Sequence, residues 1–163
     1  MTRARSITLA LYATAAVVYA FDRVTKIWAE AALAGRPPIE AVPGVLSFNY
    51  TTNSGGAFGL GRSAPWLFAG ATVLVSVVIV VVSFRLDRRP LAVALGFILG
   101  GALGNLTDRI VNGPGLSGHV TDFIDFQVWP VFNLADTAIV TGAVLLALTS
   151  ARREGSERAT EEA

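Results

Sequence analysis

The aspartates are the residues of this chain whose type and placement could do chemistry. The six glutamates all lie outside the long apolar segments, at Glu30, Glu40, Glu154, Glu157, Glu161 and Glu162. Asp87 lies among arginines that balance its charge. The other five aspartates lie within or next to apolar segments, at Asp22, Asp108, Asp122, Asp125 and Asp136. An ionisable side chain at membrane depth is costly, so such residues are functional candidates by default.

Asp136 is the strongest candidate because it lies in an apolar segment, where we expect it about two turns from the start of a helix. It is either a buried acid paired with an arginine such as Arg109 or a carboxylate that faces a polar cavity. Asp122 lies in a short apolar stretch, and the connection to Asp136 is long enough to bring both to one membrane face. The alternative for Asp122 is an interfacial loop acid. Asp125 could share a face with Asp122 on a helical turn, but an interfacial or structural position is the preferred interpretation.

Two carboxylates held close together cannot both ionise easily, so they share a proton near neutral pH. The ionised one can deprotonate a water molecule, and the protonated one can polarise a carbonyl and then protonate the leaving amine. Such peptide hydrolysis requires no cofactor, no metal and no covalent intermediate. The chain has no cysteine and one histidine, which excludes thiolate chemistry and multi-histidine metal sites. Serine–histidine catalysis through His119 is the alternative.

The elements that position these acids follow from the composition. Hydrophobic residues make up 53% of the chain and charged residues 15%, whereas soluble domains carry roughly 25% charged residues. With a net charge of +1, this argues against a soluble domain, a disordered chain and a nucleic-acid binder. We predict an all-α integral membrane protein with four transmembrane helices, over residues 6–28, 63–84, 90–107 and 128–150. A cleaved signal peptide is the alternative for the first segment.

Arginines near the ends of the spans predict the orientation. With four spans they all fall on one side, at Arg3, Arg5, Arg85, Arg88, Arg89, Arg152 and Arg153. Both termini are therefore expected in the cytoplasm, and the loops over 29–62 and 108–127 outside. Residues 45–52 alternate as a strand between turn residues, so we expect a small sheet on the outer surface. The polar tail over 151–163 is expected to be disordered.

Two local patterns in the third span predict packing and a polar face. Gly96, Gly100 and Gly104 recur every four residues and would let another helix approach closely. Asn105 and Asp108 continue at a spacing of three residues, and the neighbouring Arg109 is the nearest cation for a carboxylate or a lipid phosphate. We interpret these three polar residues as the scaffold of a site.

Two further patterns lie near the first outer loop. Asp22 and Lys26 have the spacing of a helical ion pair, either a plain interfacial salt bridge or part of a site. The glycine-rich turn over residues 53–59 could hold an extended peptide backbone or a lipid headgroup, although turns commonly have this composition.

Five short motifs in this order resemble the lipoprotein signal peptidase (signal peptidase II) family, and the resemblance covers about residues 7–148. The motifs are Asp22-Arg-Val-Thr-Lys26, Asn53-Ser-Gly-Gly-Ala-Phe-Gly59, Gly100-Gly-Ala-Leu-Gly-Asn-Leu-Thr-Asp-Arg109, Val120-Thr-Asp-Phe-Ile124 and Phe132-Asn-Leu-Ala-Asp136. The chain departs from the family's usual pattern in its Gly-Gly-Ala-Phe sequence at residues 55–58. An insertion-like stretch at residues 112–117 is a second departure.

The resemblance implies a bacterial inner-membrane aspartyl protease that removes signal peptides from prolipoproteins, cutting before a diacylglyceryl-modified cysteine. It implies Asp122 and Asp136 as the catalytic dyad. The residues implied to support the dyad or bind substrate are Asp22, Lys26, Asn53, Gly55, Asn105, Asp108, Arg109, Asn133 and Ala135. It also implies an external β-cradle, a short surface helix in the first outer loop, contact with membrane lipids and inhibition by globomycin-type cyclic peptides. We expect a monomer.

Two other classes compete with this interpretation. A small transporter or proton-relay subunit would also place aspartates inside the membrane, and it accounts well for Asp136. It does not account for the predicted strand and glycine turn or for a second acid at the same face. A structural membrane subunit is the third interpretation.

Overall fold

Four helices carry the apolar segments of the chain. The computed structural model describes residues 3–55 and 65–161. The helices are α1 (Arg3–Leu33), α2 (Pro65–Ser83), α3 (Arg89–Val111) and α4 (Leu134–Glu161). Each is long and apolar enough to cross a membrane. The segment for which a signal peptide was the alternative forms most of α1, which packs along α3.

Three short strands form an antiparallel sheet at one end of the bundle. Two come from the connection between α1 and α2, namely β1 (Ile39–Val42) and β2 (Leu46–Asn53), and β3 (Val120–Asp125) comes from the connection between α3 and α4. The expected strand over residues 45–52 is thus confirmed as β2. Residues 34–55 contain strands and turns and no helix, so the expected surface helix does not lie there. Residues 56–64, which include most of the glycine-rich turn, lie outside the described residues.

The start of α4 differs from the prediction. The sequence predicts a span from residue 128, but residues 128–133 are not helical. Phe132 instead pairs with Ile124 of β3, through hydrogen bonds of 3.0 Å and 2.8 Å. Pro130 contributes to this, because proline disfavours helical conformation in the residue before it. Asp136 therefore lies in the first turn of α4 and not two turns into a helix.

α1, α3 and α4 end beyond the predicted spans, whereas α2 ends one residue earlier than predicted, at Ser83. α1 extends to Leu33, and α3 extends to Val111, so Asp108 and Arg109 are helical and not part of an outer loop. The tail expected to be disordered continues α4 as helix to Glu161. The connections at residues 34–38 and 112–119 begin only beyond these longer helices.

The glycine ridge of α3 packs against α1, as predicted. A Cβ atom added at Gly96 or Gly100 would lie 2.6 Å from the carbonyl oxygen of Leu11 or Ala15. One at Gly104 would overlap the Asp22 carboxylate. The glycines therefore bring the backbones of α1 and α3 close together, and polar side chains at the outer ends of these two helices can contact each other.

The sheet is attached to the end of α1 by a second apolar cluster. Ala29 and Leu33 of α1 are buried against Phe123 of β3. The Trp28 ring contacts Phe48 and Phe123 edge-on, with centroid distances of 5.5 Å and 6.1 Å. This packing places β3 beside the outer ends of the helices.

Candidate active site

A cluster of buried polar side chains lies where α1, α3 and α4 meet β3. Its members are contributed by all four elements, and several are almost completely inaccessible to solvent: Asp22, Lys26, Asp108, Arg109, Asp122 and Asn133. Buried ionic groups are costly unless they are paired and hydrogen-bonded. The concentration of such groups at one place therefore marks this end of the bundle as the candidate site.

Asp122 and Asp136 line the same cavity, which has a volume of about 370 Å³. Four more of the predicted site residues line it: Asn53, Gly55, Asn105 and Arg109. Its wall is completed by apolar residues of α2, α4 and the loop before α4. Three other cavities are larger, at about 560 Å³, 470 Å³ and 590 Å³. Among the described residues, no acidic or basic side chain lines the first two, and the third lies at the other end of the bundle, beside Arg3, Asp87 and Arg88.

Asn133 links the two carboxylates. Its Nδ2 donates to Asp122 Oδ1 at 2.6 Å, and its Oδ1 accepts a hydrogen bond from the backbone nitrogen of Asp136 at 2.9 Å. The backbone nitrogen of Asn133 in turn donates to Asp136 Oδ2 at 3.4 Å. This reciprocal pattern is a capping box at the start of α4, with Asn133 as the N-cap. The helix N-terminus also favours a negative charge at Asp136.

Asp122 is held on its other oxygen by the first outer loop. Asn53 Nδ2 donates to Asp122 Oδ2 at 3.1 Å, and Asn53 Oδ1 accepts a hydrogen bond from the Gly55 backbone at 3.0 Å. Burial, followed by the nearby negative charge of Asp136, raises the pKa of Asp122 from 3.8 to about 7, and the hydrogen bonds from Asn53 and Asn133 oppose this only in part. Asp122 can therefore hold a proton near neutral pH.

Arg109 binds backbone carbonyls. Its guanidinium donates to the carbonyl oxygens of Gly55 at 2.8 Å, Gly118 at 3.2 Å and Ser54 at 3.5 Å. The ion pairs found within residues 3–55 and 65–161 do not include one between Arg109 and Asp136. Among the described residues, Arg109 thus makes no direct ion pair with Asp136, although its charge acts on that carboxylate. Its guanidinium joins the two outer connections.

Replacing Arg109 by lysine is expected to loosen the turn that contains Gly55. An ammonium group cannot span the carbonyls that a planar guanidinium bridges, and losing about one hydrogen bond to a charged group would lower kcat/KM roughly tenfold. Hydrogen exchange measured by mass spectrometry should be faster for residues 53–55. Arg36→Lys is the matched control, because the exposed Arg36 guanidinium donates to the carbonyl of Ala32, one turn earlier in the chain and away from the cavity. Unchanged exchange in Arg109→Lys would contradict this role.

Asp108 ties β3 to the helices. Its Oδ2 accepts a hydrogen bond from the Thr121 backbone at 3.0 Å. The same oxygen forms an ion pair with Lys26 Nζ at 2.9 Å. Its Oδ1 contacts Arg23. Arg23 was missed by the sequence analysis as a site residue, although it follows Asp22 directly in one of the motifs. Asp108 thereby positions the residue next to Asp122.

Asp22 is completely buried and is not among the residues that line the cavity. Its Oδ1 accepts a hydrogen bond from the Ala135 backbone at 3.0 Å, and its Oδ2 lies 3.0 Å from Lys26 Nζ, as the helical spacing predicted. Asp22 thus caps the first turn of α4 from another helix. Ala135 is also completely buried, and its carbonyl oxygen lies against Gly101.

Two candidates of the sequence analysis lie apart from the cavity. Asp125 is on a strand, where residues an odd number of positions apart point to opposite faces, so it does not share a face with Asp122. Its Oδ1 accepts a hydrogen bond from the Gln127 backbone. His119 does not line the cavity, so serine–histidine catalysis gains no support. Among the described residues, no group of three or more acidic or histidine side chains is placed to hold a metal ion.

Comparisons with known proteins agree on one family. The family model for signal peptidase (SPase) II matches residues 14–152. The lipoprotein signal peptidase of Streptomyces griseus is 45% identical over 147 residues, which are 87% of this chain and 73% of that protein. That of Desulfitobacterium hafniense is 37% identical over 154 residues, covering 93% of this chain and 99% of the relative.

The fold has a relative of known structure. A solved bacterial membrane enzyme superposes with a TM-score of 0.74 at 27% identity, and the match covers 90% of each chain. Together with the four apolar helices, this identifies a multi-pass membrane protein. The family model covers most of the sequence, and the motif resemblance is confirmed: the chain belongs to the signal peptidase II family of peptidases.

Proposed function

We propose that this chain is a membrane aspartic endopeptidase that removes signal peptides from diacylglyceryl-modified prolipoproteins, cleaving before the lipidated cysteine. One observation carries the aspartic class: Asp122 and Asp136 line one cavity and are joined through the single side chain and backbone of Asn133. The substrate class follows from the relatives, which are named lipoprotein signal peptidases.

The dyad would hydrolyse the peptide bond without a covalent intermediate. The ionised carboxylate takes a proton from water while the water oxygen attacks the scissile carbonyl carbon, and the protonated carboxyl donates its proton to the carbonyl oxygen. When the tetrahedral intermediate collapses, the carbon–nitrogen bond breaks. The carboxyl group that took the proton from water protonates the leaving amine, and the other carboxylate takes back a proton from a hydroxyl of the intermediate as the carbonyl re-forms. Both carboxylates must therefore reach the same carbonyl, as two groups on one cavity wall can.

The substrate's signal segment would lie in the bilayer beside α2 and α4. Apolar residues of both helices border the cavity, including Phe68, Ile139 and Val140. An apolar helix could pack there while the cleavage site enters the cavity, with the diacylglyceryl chains left among the membrane lipids. Globomycin-type cyclic peptides would compete for this cavity, and one chain contains all the proposed site residues, consistent with a monomer.

The proposed location is the bacterial inner membrane, with both termini in the cytoplasm and the active site toward the extracytoplasmic face. The support is the position of the arginines. Arg85 and Arg88 lie between α2 and α3, and Arg89 is the first residue of α3, at the end of the bundle opposite the sheet. Arg3 lies at the start of α1. Cytoplasmic loops carry such an excess of positive charge.

The test is cleavage of a defined precursor by the purified protein in lipid vesicles. Wild type is expected to cut a diacylglyceryl prolipoprotein immediately before its cysteine, as read by mass spectrometry of both products, and to leave the unlipidated precursor intact. A chelator should have no effect on the rate. The proposal fails if the lipidated precursor is not cut, or if both precursors are cut equally well.

The raised pKa of Asp122 predicts the alkaline limit of activity. Asp122 keeps its proton below a pH of about 7 and loses it above that value, so the singly protonated dyad disappears as the pH rises. We expect kcat/KM to fall about tenfold for each pH unit above this point. The measurement is kcat/KM from pH 5 to 9 at constant ionic strength, with return to pH 6 as the control for denaturation. A rate that stays constant up to pH 9 would contradict this assignment.

A further inference from the structure

Lys26 has a buried ammonium group with three side-chain oxygens close to it. Its side chain is 2% exposed. Nζ lies 2.8 Å from Asn105 Oδ1, 2.9 Å from Asp108 Oδ2 and 3.0 Å from Asp22 Oδ2. An ammonium group has three protons to donate, and the three acceptors lie on two different helices. The contacts with Asp22 and Asp108 balance the charge of Lys26. The contact with the neutral amide of Asn105 is not needed for charge balance.

The third contact determines how the Asn105 amide is oriented. Its oxygen accepts hydrogen bonds from Lys26 and from Asn133 Nδ2 at 3.2 Å, so its Nδ2 is directed to Asp136 Oδ1, at 2.8 Å. The reversed amide would place an NH₂ group against the ammonium. A cation at the oxygen also polarises the amide and strengthens the hydrogen bond that its nitrogen donates.

Lys26 is the cation that is connected to the dyad by hydrogen bonds, from Lys26 to Asn105 and from Asn105 to Asp136. Asp108 and Asp22 face Lys26, and Arg23 contacts the second oxygen of Asp108. Arg109 lines the cavity, and its guanidinium binds backbone carbonyls. These four groups and the two dyad carboxylates are the charged groups that face Lys26 from α1, α3, α4 and β3. The lysine reaches the dyad through one amide.

We propose that Lys26 is a positioning residue that, through Asn105, holds Asp136 as the ionised, water-activating member of the dyad. This deepens the proposed function and rests on it. The capping box at the start of α4 favours the same assignment, because a helix N-terminus stabilises an anion. Asp122, whose hydrogen-bond donors among the described residues are the neutral amides of Asn53 and Asn133, is then the member that holds the proton.

The test compares Lys26→Met with the charge-balanced double variant Lys26→Met/Asp22→Asn and with Asp22→Asn alone. Both variants without Lys26 are expected to lose roughly 10- to 100-fold in kcat at pH 6, which corresponds to one hydrogen bond to a charged group, with KM nearly unchanged. The acidic limb of their pH profile should move to higher pH, because the ionised carboxylate has lost a cation. In Asp22→Asn the limb should move to lower pH, since an anion has been removed.

Rescue separates positioning from folding. The chain has no cysteine, so Lys26→Cys can be alkylated at that position alone, before reconstitution, to give an aminoethyl cysteine of nearly the length of lysine. The restored ammonium should recover kcat and the wild-type acidic limb, whereas a neutral alkyl group of similar size should not. Equal recovery by both groups would overturn the proposal, as would wild-type kcat and pH profile in the charge-balanced double variant.

An infrared titration keeps the test independent of cleavage. The band of the protonated carboxyl groups that is lost in Asp136→Asn should disappear at higher pH in Lys26→Met than in wild type. If wild type cleaves the lipidated precursor but this band titrates identically in both proteins, the role of Lys26 is wrong and the proposed function stands. If wild type does not cleave, the proposed function fails, and the band alone decides whether Lys26 favours the ionised carboxylate.

Discussion

Replacing either dyad aspartate by asparagine is expected to lower kcat/KM for a diacylated prolipoprotein by about 1,000-fold. An amide at position 136 cannot take a proton from water, and one at position 122 cannot donate an acidic proton to the scissile carbonyl. The measurement is the initial rate of cleavage with wild-type protein and with Asp122→Asn and Asp136→Asn, at pH 6. At pH 6 Asp136→Asn removes a negative charge, whereas Asp122→Asn replaces a protonated, neutral carboxyl group. Equal losses in the two variants would therefore be due to the chemistry that needs both groups and not to the change in charge.

Asp125→Asn is the matched control for the dyad variants. Asp125 lies on the same strand as Asp122, but outside the cavity, and an asparagine can still accept the hydrogen bond from the Gln127 backbone. It should cleave at nearly the wild-type rate. Circular dichroism and elution in detergent should show that all three variants are folded. The dyad assignment would be wrong if Asp122→Asn or Asp136→Asn cleaved as fast as this control.

Gly101→Ala is the substitution for which we expect the largest loss of stability, about 1 to 3 kcal/mol in the free energy of unfolding. A Cβ atom at Gly101 would overlap the carbonyl oxygen of Ala135 and lie 2.9 Å from Ile139 Cγ1. A backbone carbonyl cannot rotate away as a side-chain end can, so α3 and α4 must separate. That carbonyl belongs to the first turn of α4, and activity should fall together with stability.

The thermal unfolding temperature in detergent would measure this effect. Gly70→Ala is the control, because nothing lies within 4 Å of a Cβ added there on α2. Alanine also favours helix over glycine, so this variant should unfold at the same or a higher temperature. An unfolding temperature for Gly101→Ala equal to that of Gly70→Ala would mean that the helices do not approach closely at this point.

The elements that depend on local sequence could be predicted. Four apolar stretches of membrane length became the four helices, and the alternating residues of 45–52 became β2, because length and periodicity are local properties. The start of α4 could not be predicted. Residues 128–133 are apolar enough to extend the helix. They are not helical because Phe132 pairs with Ile124 of β3, a contact that the local sequence does not show.

The membership of the site was easier to predict than the contacts inside it. Asp122 and Asp136 were singled out because few acids lie next to apolar segments. The roles of Arg109, Arg23 and Lys26 depend on which partner is nearest after packing. Arg109 was expected as the nearest cation for a carboxylate or a lipid phosphate. Its charge does act on Asp122 and Asp136, but its hydrogen bonds to carbonyl oxygens of two connections distant in sequence were not predicted. Spacing along one helix predicts the pair of Asp22 and Lys26, but no local pattern predicts contacts between helices.

The capping box has a consequence for how this protein can evolve. The hydrogen bonds between Asn133 and Asp136 begin α4, and the same bonds hold Asp136 at the cavity. In many enzymes reactive groups weaken the fold, so that stability can be gained by giving up activity. Here the same hydrogen bonds contribute to the stability of α4 and to the position of the proposed catalytic group. A substitution at Asn133 or Asp136 therefore cannot gain stability by giving up activity. Selection for heat resistance and selection for turnover would therefore preserve the same two side chains.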